Sequence, residues 1–272
     1  MYANNVESVF NVAAGMEIFH NFTLLHDDVM DKADVRRGSP TVHKKWNENT
    51  AILSGDGMLV LAYQYLAQCN PSYLKQILDL ANDTFIGITD GQQFDMDFET
   101  RNDVSELEYL EMIRLKTSIL LAACLKMGAI LGGASEEDAN LLYSFGEKLG
   151  LAFQLQDDLL DVYGDVKVFG KRIGGDIVCN KKTYMYINTC LLASDEERAI
   201  LAKWAQYEGD DVDAKIEAVK GVYDSVGIKG KAEAKIEELF NEAMSLLNKV
   251  SVLEEKKSVL REYALSLMNR VL

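Results

Sequence analysis

Apolar residues recur along most of the chain at steps of three and four positions, the spacing that places them on one face of an α-helix. In the first such stretch Val9, Val12, Met16 and Phe19 follow this pattern. The same spacing returns in segment after segment almost to the last residue. It predicts helices over residues 6–29, 51–68, 72–98, 104–131, 136–163, 182–192, 195–208, 211–226 and 229–271.

Chain breakers are concentrated in two places. Residues 37–40, Arg-Gly-Ser-Pro, are typical of a loop, and residues 164–180 are rich in glycine and charge. No stretch alternates as a half-buried strand would, and no change in composition marks a linker. The sequence therefore predicts an all-α protein in which residues 1–272 form a single domain, built as a bundle of long helices.

Composition narrows the classes of function. The formal net charge of −15 argues against a nucleic-acid partner, because phosphate backbones bind basic surfaces. The four cysteines are widely spaced and include no CxxC pair. A disulfide framework or zinc site is therefore not expected, and a reducing cytosolic compartment is. The sequence contains no apolar run of membrane-spanning length and no signal peptide.

The stretch LLHDDVMDKADVRRGSPTVH, residues 24–43, concentrates negative charge near the predicted end of the first helix. Asp27, Asp28 and Asp31 have the form DDxxD, and residues four apart share a face of a helix. Like charges so placed repel each other. An EF-hand is not indicated, because its spacing of ligands is absent. One such motif alone leaves metal binding and a solvated helix end equally open.

A second DDxxD, formed by Asp157, Asp158 and Asp161, also follows an apolar helical run, FQLQDDLLD. Two such motifs at the ends of two long helices can face each other across a bundle and form a cage of carboxylates. Oxygen ligands without nearby histidine or cysteine favour Mg²⁺ over zinc, and Mg²⁺ binds a few carboxylates together with substrate phosphates. The pair of motifs therefore predicts a magnesium site.

Basic residues accompany both motifs. Arg36 and Arg37 follow the first, while Lys116 and Thr117 interrupt an apolar helix, where a lysine is either a surface residue or points into a cleft. Carboxylates, Mg²⁺ and cations together describe a diphosphate site. No P-loop occurs, so a nucleoside triphosphate is a poor candidate. The second motif is followed by Lys171, Lys181 and Lys182.

In this order the motifs resemble those of the trans-isoprenyl diphosphate synthases, or polyprenyl synthetases. GQQFD at residues 91–95 resembles the family's glutamine motif, and RLKTSIL at residues 114–120 resembles its lysine–threonine helix. The resemblance covers residues 5–185. It implies the isoprenoid synthase fold, in which long, mostly antiparallel helices surround a central cavity, and it implies a homodimer. It also implies a prenyltransferase that joins isopentenyl diphosphate head-to-tail to an allylic diphosphate.

The resemblance also implies roles for individual residues. Asp27, Asp31 and Asp157 bind about three Mg²⁺ ions together with the allylic diphosphate, and the other aspartates of the two motifs support them. By the same resemblance, Arg36, Lys116 and Lys171 bind the allylic diphosphate, and Arg37 binds isopentenyl diphosphate. Lys181 helps to close the site. Thr117 and Gln154 lie beside the developing cation. Lys116, Thr117, Gln154 and Lys171 form the predicted catalytic set.

Product length is predicted to depend on the helix that carries the first motif. Phe22 precedes Asp27 by five residues, or about 7.5 Å along the axis at roughly 1.5 Å per residue. Its ring is expected to close the floor of the product pocket, with Phe19 as a second stopper, unless both are ordinary core aromatics. An aromatic residue at this place resembles the pattern in enzymes that make geranylgeranyl diphosphate. Farnesyl diphosphate is the next product that this pattern indicates.

The family's upstream GGKxxRP-like segment, which binds isopentenyl diphosphate, does not occur in these 272 residues. We therefore expect that an N-terminal part is missing and that this chain alone condenses weakly. Two rival functions share the fold: a class I terpene cyclase, which usually carries a different second metal motif, and a non-catalytic subunit of a prenyl synthase. A calcium-binding helical protein is a further alternative, but the set of arginines and lysines argues against it.

Overall fold

A computed structural model describes residues 1–2, 7–164 and 173–268, and it confirms the predicted all-α class. Between α1 and α2 the described chain has one antiparallel pair of short strands, β1 (Val35–Arg36) and β2 (Ser39–Pro40). A π-helical segment, Arg114–Ser118, joins α5 to α6. The helices are α1 Glu7–Met30, α2 Val42–Lys45, α3 Glu48–Leu66, α4 Leu74–Thr100, α5 Glu106–Ile113, α6 Ile119–Leu131, α7 Glu136–Tyr163, α8 Gly175–Val178, α9 Tyr184–Leu192, α10 Asp195–Ala205, α11 Val212–Ser225, α12 Ile228–Lys249 and α13 Glu254–Met268.

The predicted helix over residues 229–271 is wrong in one respect, because its described part forms two helices. Val250 leaves helical geometry with a ψ of 133°, which ends α12. Lys257 of α13 is buried and donates a hydrogen bond from Nζ to the carbonyl of Asn248, 3.0 Å away. A cation at the negative end of a helix dipole stabilises that end, so this contact fixes the turn.

The described residues form two compact units. Unit 1 comprises Met1–Asn82 and Lys126–Ala139, and unit 2 comprises Asp83–Leu125 and Asn140–Leu272. The single domain expected from the sequence stays a prediction.

In unit 1, α1 and α3 pack closely because glycines remove side chains from their contact. A Cβ atom at Gly15 would lie 3.0 Å from the carbonyl oxygen of Ala62 and 3.1 Å from Leu66 Cγ. At Gly55 it would lie 2.2 Å from Nε2 of His26, so the imidazole fills the space over this glycine. The register of α1 on α3 is therefore set at both glycines.

In unit 2, the helix formed by α5, the π-helical segment and α6 lies against glycines of two other helices. A Cβ atom at Gly91 of α4 would lie 2.4 Å from the backbone nitrogen of Lys116, and one at Gly150 of α7 would lie 2.7 Å from Cα of Ser118. Ser118 Oγ donates to the carbonyl of Ile113, five residues back, 3.4 Å away. The wider π turn therefore lies where two glycines permit close backbone approach. Such turns are frequent at functional sites.

The core of unit 2 joins α5 and α7 to the helices that follow them. Tyr109, Leu155, Tyr184 and Tyr223 are almost fully buried members of one apolar cluster. These side chains contribute apolar area that stabilises the unit. Tyr109 also contacts Asp158 of the second aspartate motif, near the end of α7. In the part of the chain that the structure describes, no helix is long and apolar enough to cross a membrane.

We expect Gly91→Ala to lower the free energy of unfolding by about 2 kcal/mol or more, because the added methyl group overlaps the backbone of Lys116. Gly128→Ala is the matched control, since Gly128 lies within α6 with open space around it. It should leave stability unchanged or raise it by up to about 1 kcal/mol. Urea unfolding measures both, and a Gly91→Ala protein as stable as the parent would contradict this packing.

Candidate active site

The first aspartate motif lies in the last turn of α1, in unit 1. The backbone N–H of Asp31 donates to the carbonyl of Asp27, 2.8 Å away, so helical bonding continues through the motif. Asp27 and Asp31 therefore share a face. Asp28 is buried and accepts a hydrogen bond from Nε of Arg36 at 2.8 Å. Nη2 of Arg36 also lies 3.6 Å from Asp27 Oδ2, so this guanidinium neutralises part of the motif's charge.

The hairpin of β1 and β2 holds Arg36 beside the motif. Thr41 is buried and closes the hairpin, because its Oγ1 donates to the carbonyl of Ala33 at 2.6 Å. Arg37 occupies the turn with a φ of +51° and is exposed. Arg36 and Arg37 thus differ: one contacts the carboxylates, and the other faces solvent. Asp34 forms an ion pair with Lys44 at 2.8 Å and is largely exposed, so it is separate from the contacts of the motif.

One turn before the motif, aromatic side chains follow α1. Phe19 is almost fully buried and Phe22 is half-buried, with their ring centres 5.5 Å apart. The imidazole of His26 meets Phe22 edge-on at 4.7 Å. Nε2 of His26 lies 3.1 Å from the carbonyl oxygen of Ile52 on α3, so this histidine links two helices.

The second motif lies in the last turns of α7, in unit 2, where a hydrogen-bonded chain leads to it. Thr117 Oγ1 donates to Gln154 Oε1 at 3.4 Å, and Gln154 Nε2 donates to Asp158 Oδ1 at 3.3 Å. The other carboxylate oxygen of Asp158 accepts from the hydroxyl of Tyr109, which is fully buried. Burial, and then the nearby charge of Asp176, raise the pKa of Asp158 to about 7. Three of the predicted site residues are therefore brought together.

Asp161 and Asp157 lie one turn apart on α7, and both are half-buried. Asp161 Oδ2 accepts a hydrogen bond from the backbone N–H of Asp176, 3.0 Å away. Burial and the charge of Asp176 raise the pKa of Asp161 to about 6. Sequence reasoning did not select Asp176. In the sequence, the only indication of its role was its place shortly after Gly174. In the structure, Gly174 has a φ of +86° and turns the chain back towards α7.

Lys116 is directed by a carboxylate that sequence reasoning also left without a role. Its Nζ lies 2.6 Å from Asp95 Oδ2, in the GQQFD stretch of α4. Burial opposes the charge of Asp95, but Lys181 and Lys116 outweigh that effect and lower the pKa of its carboxyl. The positive charge of Lys181 also acts on Asp158 and Asp161. Lys181 and Lys116 thus belong to the same charged cluster of unit 2.

Two further basic residues follow the second motif in the sequence. Lys182 donates from Nζ to the carbonyl of Asn180 at 3.2 Å and lies over the ring of Tyr186. Lys171 lies outside the described residues.

The donors of both motifs fit Mg²⁺, which prefers carboxylate oxygens and retains several waters. The buried carboxyl of Asp158 and the half-buried carboxyl of Asp161 have raised pKa values, and a divalent cation would stabilise their charged forms. In the described ranges, no three acidic, histidine or cysteine side chains already converge as a metal cluster. Each motif can therefore supply a few ligands, and further oxygens must come from water and phosphate.

Comparison with known proteins confirms the resemblance of the motifs. The family model for polyprenyl synthetases matches residues 1–222. A geranylgeranyl diphosphate synthase of Methanosarcina mazei is 46% identical over 187 residues, which are 68% of this chain and 58% of that protein. This chain therefore matches little more than half the length of that relative.

Solved structures agree in fold. A crystal structure of a geranylgeranyl pyrophosphate synthase superposes with a TM-score of 0.93 at 42% identity, covering 99% of this chain and 84% of that one. A geranylgeranyl pyrophosphate synthase from Corynebacterium glutamicum, complexed with isoprenyl diphosphate and magnesium, has a TM-score of 0.88 at 28% identity, covering 98% and 80%. With the match over residues 1–222, these likenesses show that the chain belongs to the polyprenyl synthetase family.

Proposed function

We propose that this protein is a Mg²⁺-dependent prenyltransferase that condenses isopentenyl diphosphate head-to-tail with an allylic diphosphate. The observation that carries the proposal is the hydrogen-bonded chain from Thr117 through Gln154 to Asp158. It joins the lysine–threonine segment to the second aspartate motif, which α6 and most of α7 separate along the chain. The relatives named as geranylgeranyl diphosphate synthases support the same chemistry.

Mg²⁺ ions would be held by carboxylates of each motif. Asp27, Asp31, Asp157 and Asp161 are proposed as direct ligands, because Asp28 and Asp158 already have strong hydrogen-bond donors and are almost fully buried. The last two would orient their neighbours, as supporting residues commonly do around metal ligands. When bound, the ion supplies positive charge that makes diphosphate a better leaving group. The magnesium in the Corynebacterium glutamicum complex supports this assignment.

Basic side chains would bind the phosphate oxygens that remain. Lys116 and Lys181 lie in one charged cluster with Asp95, and we propose that they hold the allylic diphosphate with Arg36 and Lys171. Exposed Arg37 is proposed to bind isopentenyl diphosphate. The carboxylate of Asp95 holds Lys116 in place, which lowers the cost of fixing a flexible side chain when substrate binds.

The reaction breaks one C–O bond and forms one C–C bond. The C1–O bond of the allylic diphosphate breaks, and its electron pair leaves with the diphosphate. The double bond of isopentenyl diphosphate then attacks C1, and a proton lost from the adduct passes to the released diphosphate. Thr117 Oγ1 and Gln154 Oε1 would present oxygen lone pairs to the developing cation. Surrounding apolar side chains would exclude water, which would otherwise capture it.

We propose a product of geranylgeranyl or farnesyl length. The half-buried ring of Phe22, one turn before the motif, is positioned by contacts with Phe19 and His26. A ring that is packed between two side chains would block further growth of the prenyl chain. The relatives' names support a short product.

We also propose a homodimer formed through α3. Leu53 and Val60 are seven residues apart on one face of that helix and are mostly exposed, with Ile52 and Leu61 at the edges of the same face. An apolar face of this kind is typical of an interface between subunits.

We further propose a reducing compartment such as the cytosol, which the four free cysteines support.

Asp157→Asn should lower the rate of chain extension by roughly 100-fold or more, because the amide is a poor ligand for Mg²⁺. The assay uses labelled isopentenyl diphosphate at saturating concentration, an allylic primer and Mg²⁺. The control is Asp34→Asn, an exposed aspartate that follows the first motif, which should retain the parent rate. An Asp157→Asn protein as active as the parent would exclude the proposed metal role. Cyclic hydrocarbon from the parent would indicate a cyclase. No product from a longer chain that carries the upstream GGKxxRP-like segment would indicate a non-catalytic subunit.

Phe22→Ala should lengthen the product by at least one five-carbon unit, since removing the ring deepens the pocket. Phe10→Ala is the matched control on the same helix, because Phe10 is 71% exposed. Chromatography of the dephosphorylated products measures both. If an active Phe22→Ala protein makes the parent product, Phe22 has no part in length control.

Replacing both Leu53 and Val60 by glutamate should shift the protein from dimer to monomer in sedimentation equilibrium, because buried charges oppose association. Leu107→Glu is the control, since Leu107 is 78% exposed on α5. A parent protein that is already monomeric, or a doubly substituted protein that still dimerises, would count against α3 as the interface.

A further inference from the structure

A buried lysine outside the predicted site contacts the segment that follows the second motif. Lys215 of α11 is only 5% exposed. Its Nζ donates to the carbonyl oxygen of Val178 at 3.0 Å and to Asn180 Oδ1 at 2.8 Å. Both acceptors are neutral, and the described residues place no carboxylate within ion-pair distance of this ammonium group. Burial accordingly lowers the pKa of Lys215.

This arrangement is unfavourable for folding taken by itself. Moving an ammonium group out of water costs free energy that hydrogen bonds to neutral acceptors only partly offset. Methionine has a similar shape and no charge, so it would fill the same space at lower cost. A buried group that works against stability is expected where function requires it. The question is therefore what Lys215 holds in place.

Lys215 holds a short bracket, residues 174–181, against the end of α7. At one end the N–H of Gly174 donates to the carbonyl of Asp161 at 2.6 Å, and Asp176 N–H donates to the Asp161 carboxylate. At the other end Lys181 N–H donates to the carbonyl of Asp176 at 2.9 Å. The bracket therefore carries one acidic and one basic residue of the charged cluster on a single compact turn.

The backbone of the bracket is strained where Lys215 contacts it. Asn180 has a φ of +54°, a conformation that asparagine tolerates better than most residues. Its side chain is fixed from two sides, because Oδ1 accepts from Lys215 and Nδ2 donates to the carbonyl of Ala205 at 3.0 Å. These contacts hold a left-handed turn immediately before Lys181. Without them the turn would have other conformations available.

We propose that Lys215 is a positioning residue for diphosphate binding, which acts by holding Val178 and Asn180 so that Asp176 and Lys181 stay beside the second aspartate motif. The identity of the ligand rests on the proposed function above. Lys215 itself touches no substrate in this account. Its removal should weaken binding of a magnesium–diphosphate complex without unfolding the protein.

The test compares Lys215→Met with Lys256→Met, which replaces an exposed lysine on α13. Calorimetric titration with inorganic pyrophosphate in the presence of Mg²⁺ should show affinity at least five-fold weaker for Lys215→Met and unchanged for Lys256→Met. The melting temperature without ligand should be equal to or above that of the parent. Parent-like affinity would overturn the proposal, and so would a lowered melting temperature, which would assign Lys215 to the fold.

Asn180→Gly provides a second variant that keeps the left-handed backbone accessible while removing the amide acceptor. It should weaken pyrophosphate binding as Lys215→Met does, and the loss in the double variant should be smaller than the sum of the two single losses, because both substitutions remove the contact between Lys215 and Asn180. Independent effects that add would contradict that coupling. Hydrogen exchange of residues 174–181 without ligand separates this inference from the proposed function. Exchange should be faster in both variants even if the parent binds no pyrophosphate, and unchanged exchange would overturn the bracket.

Discussion

Negative charge held partly out of water at the end of α7 is the constraint around which unit 2 is organised. Asp158 is almost fully buried, and the charge of Asp176 acts on both Asp158 and Asp161. Carboxylates in such surroundings resist ionisation unless donors or cations compensate them. Tyr109 and Gln154 provide hydrogen bonds, and Lys181 provides charge. The compensation is incomplete, because the pKa values of both carboxyls remain raised. A divalent cation with a diphosphate would complete it.

In unit 1 the charge of the aspartates is neutralised in a different way. Asp28 is buried against the guanidinium of Arg36, which also lies near Asp27. A guanidinium has five N–H donors, so Arg36 can keep its bond to Asp28 and still offer donors to a phosphate oxygen. The hairpin that carries Arg36 is short and closed by buried Thr41. Under the proposed function, the same side chain would both neutralise the aspartates and bind substrate.

Much of this arrangement could be predicted from the sequence, because it rests on local patterns. The period of apolar residues located most helices, and two DDxxD motifs at helix ends identified the aspartates and the family. Features that depend on distant residues were missed. The π turn at Lys116 depends on glycines of two other helices, and the break at Val250 depends on a lysine beyond it. Tyr109, Asp176 and Lys215 carry no motif, since their roles arise from where the chain returns to α7.

Under the proposed function, the carboxylates of each motif bind Mg²⁺ only in company with a diphosphate. Thermal unfolding of the parent chain tests it most directly, with Mg²⁺ alone, inorganic pyrophosphate alone, both together, and both with excess chelator. Ligands that bind only the folded state raise the melting temperature. We expect the melting temperature to rise clearly with the pair, to change little with either alone, and to return to the parent value with the chelator. No rise with the pair, or an equal rise with pyrophosphate after chelation, would contradict it.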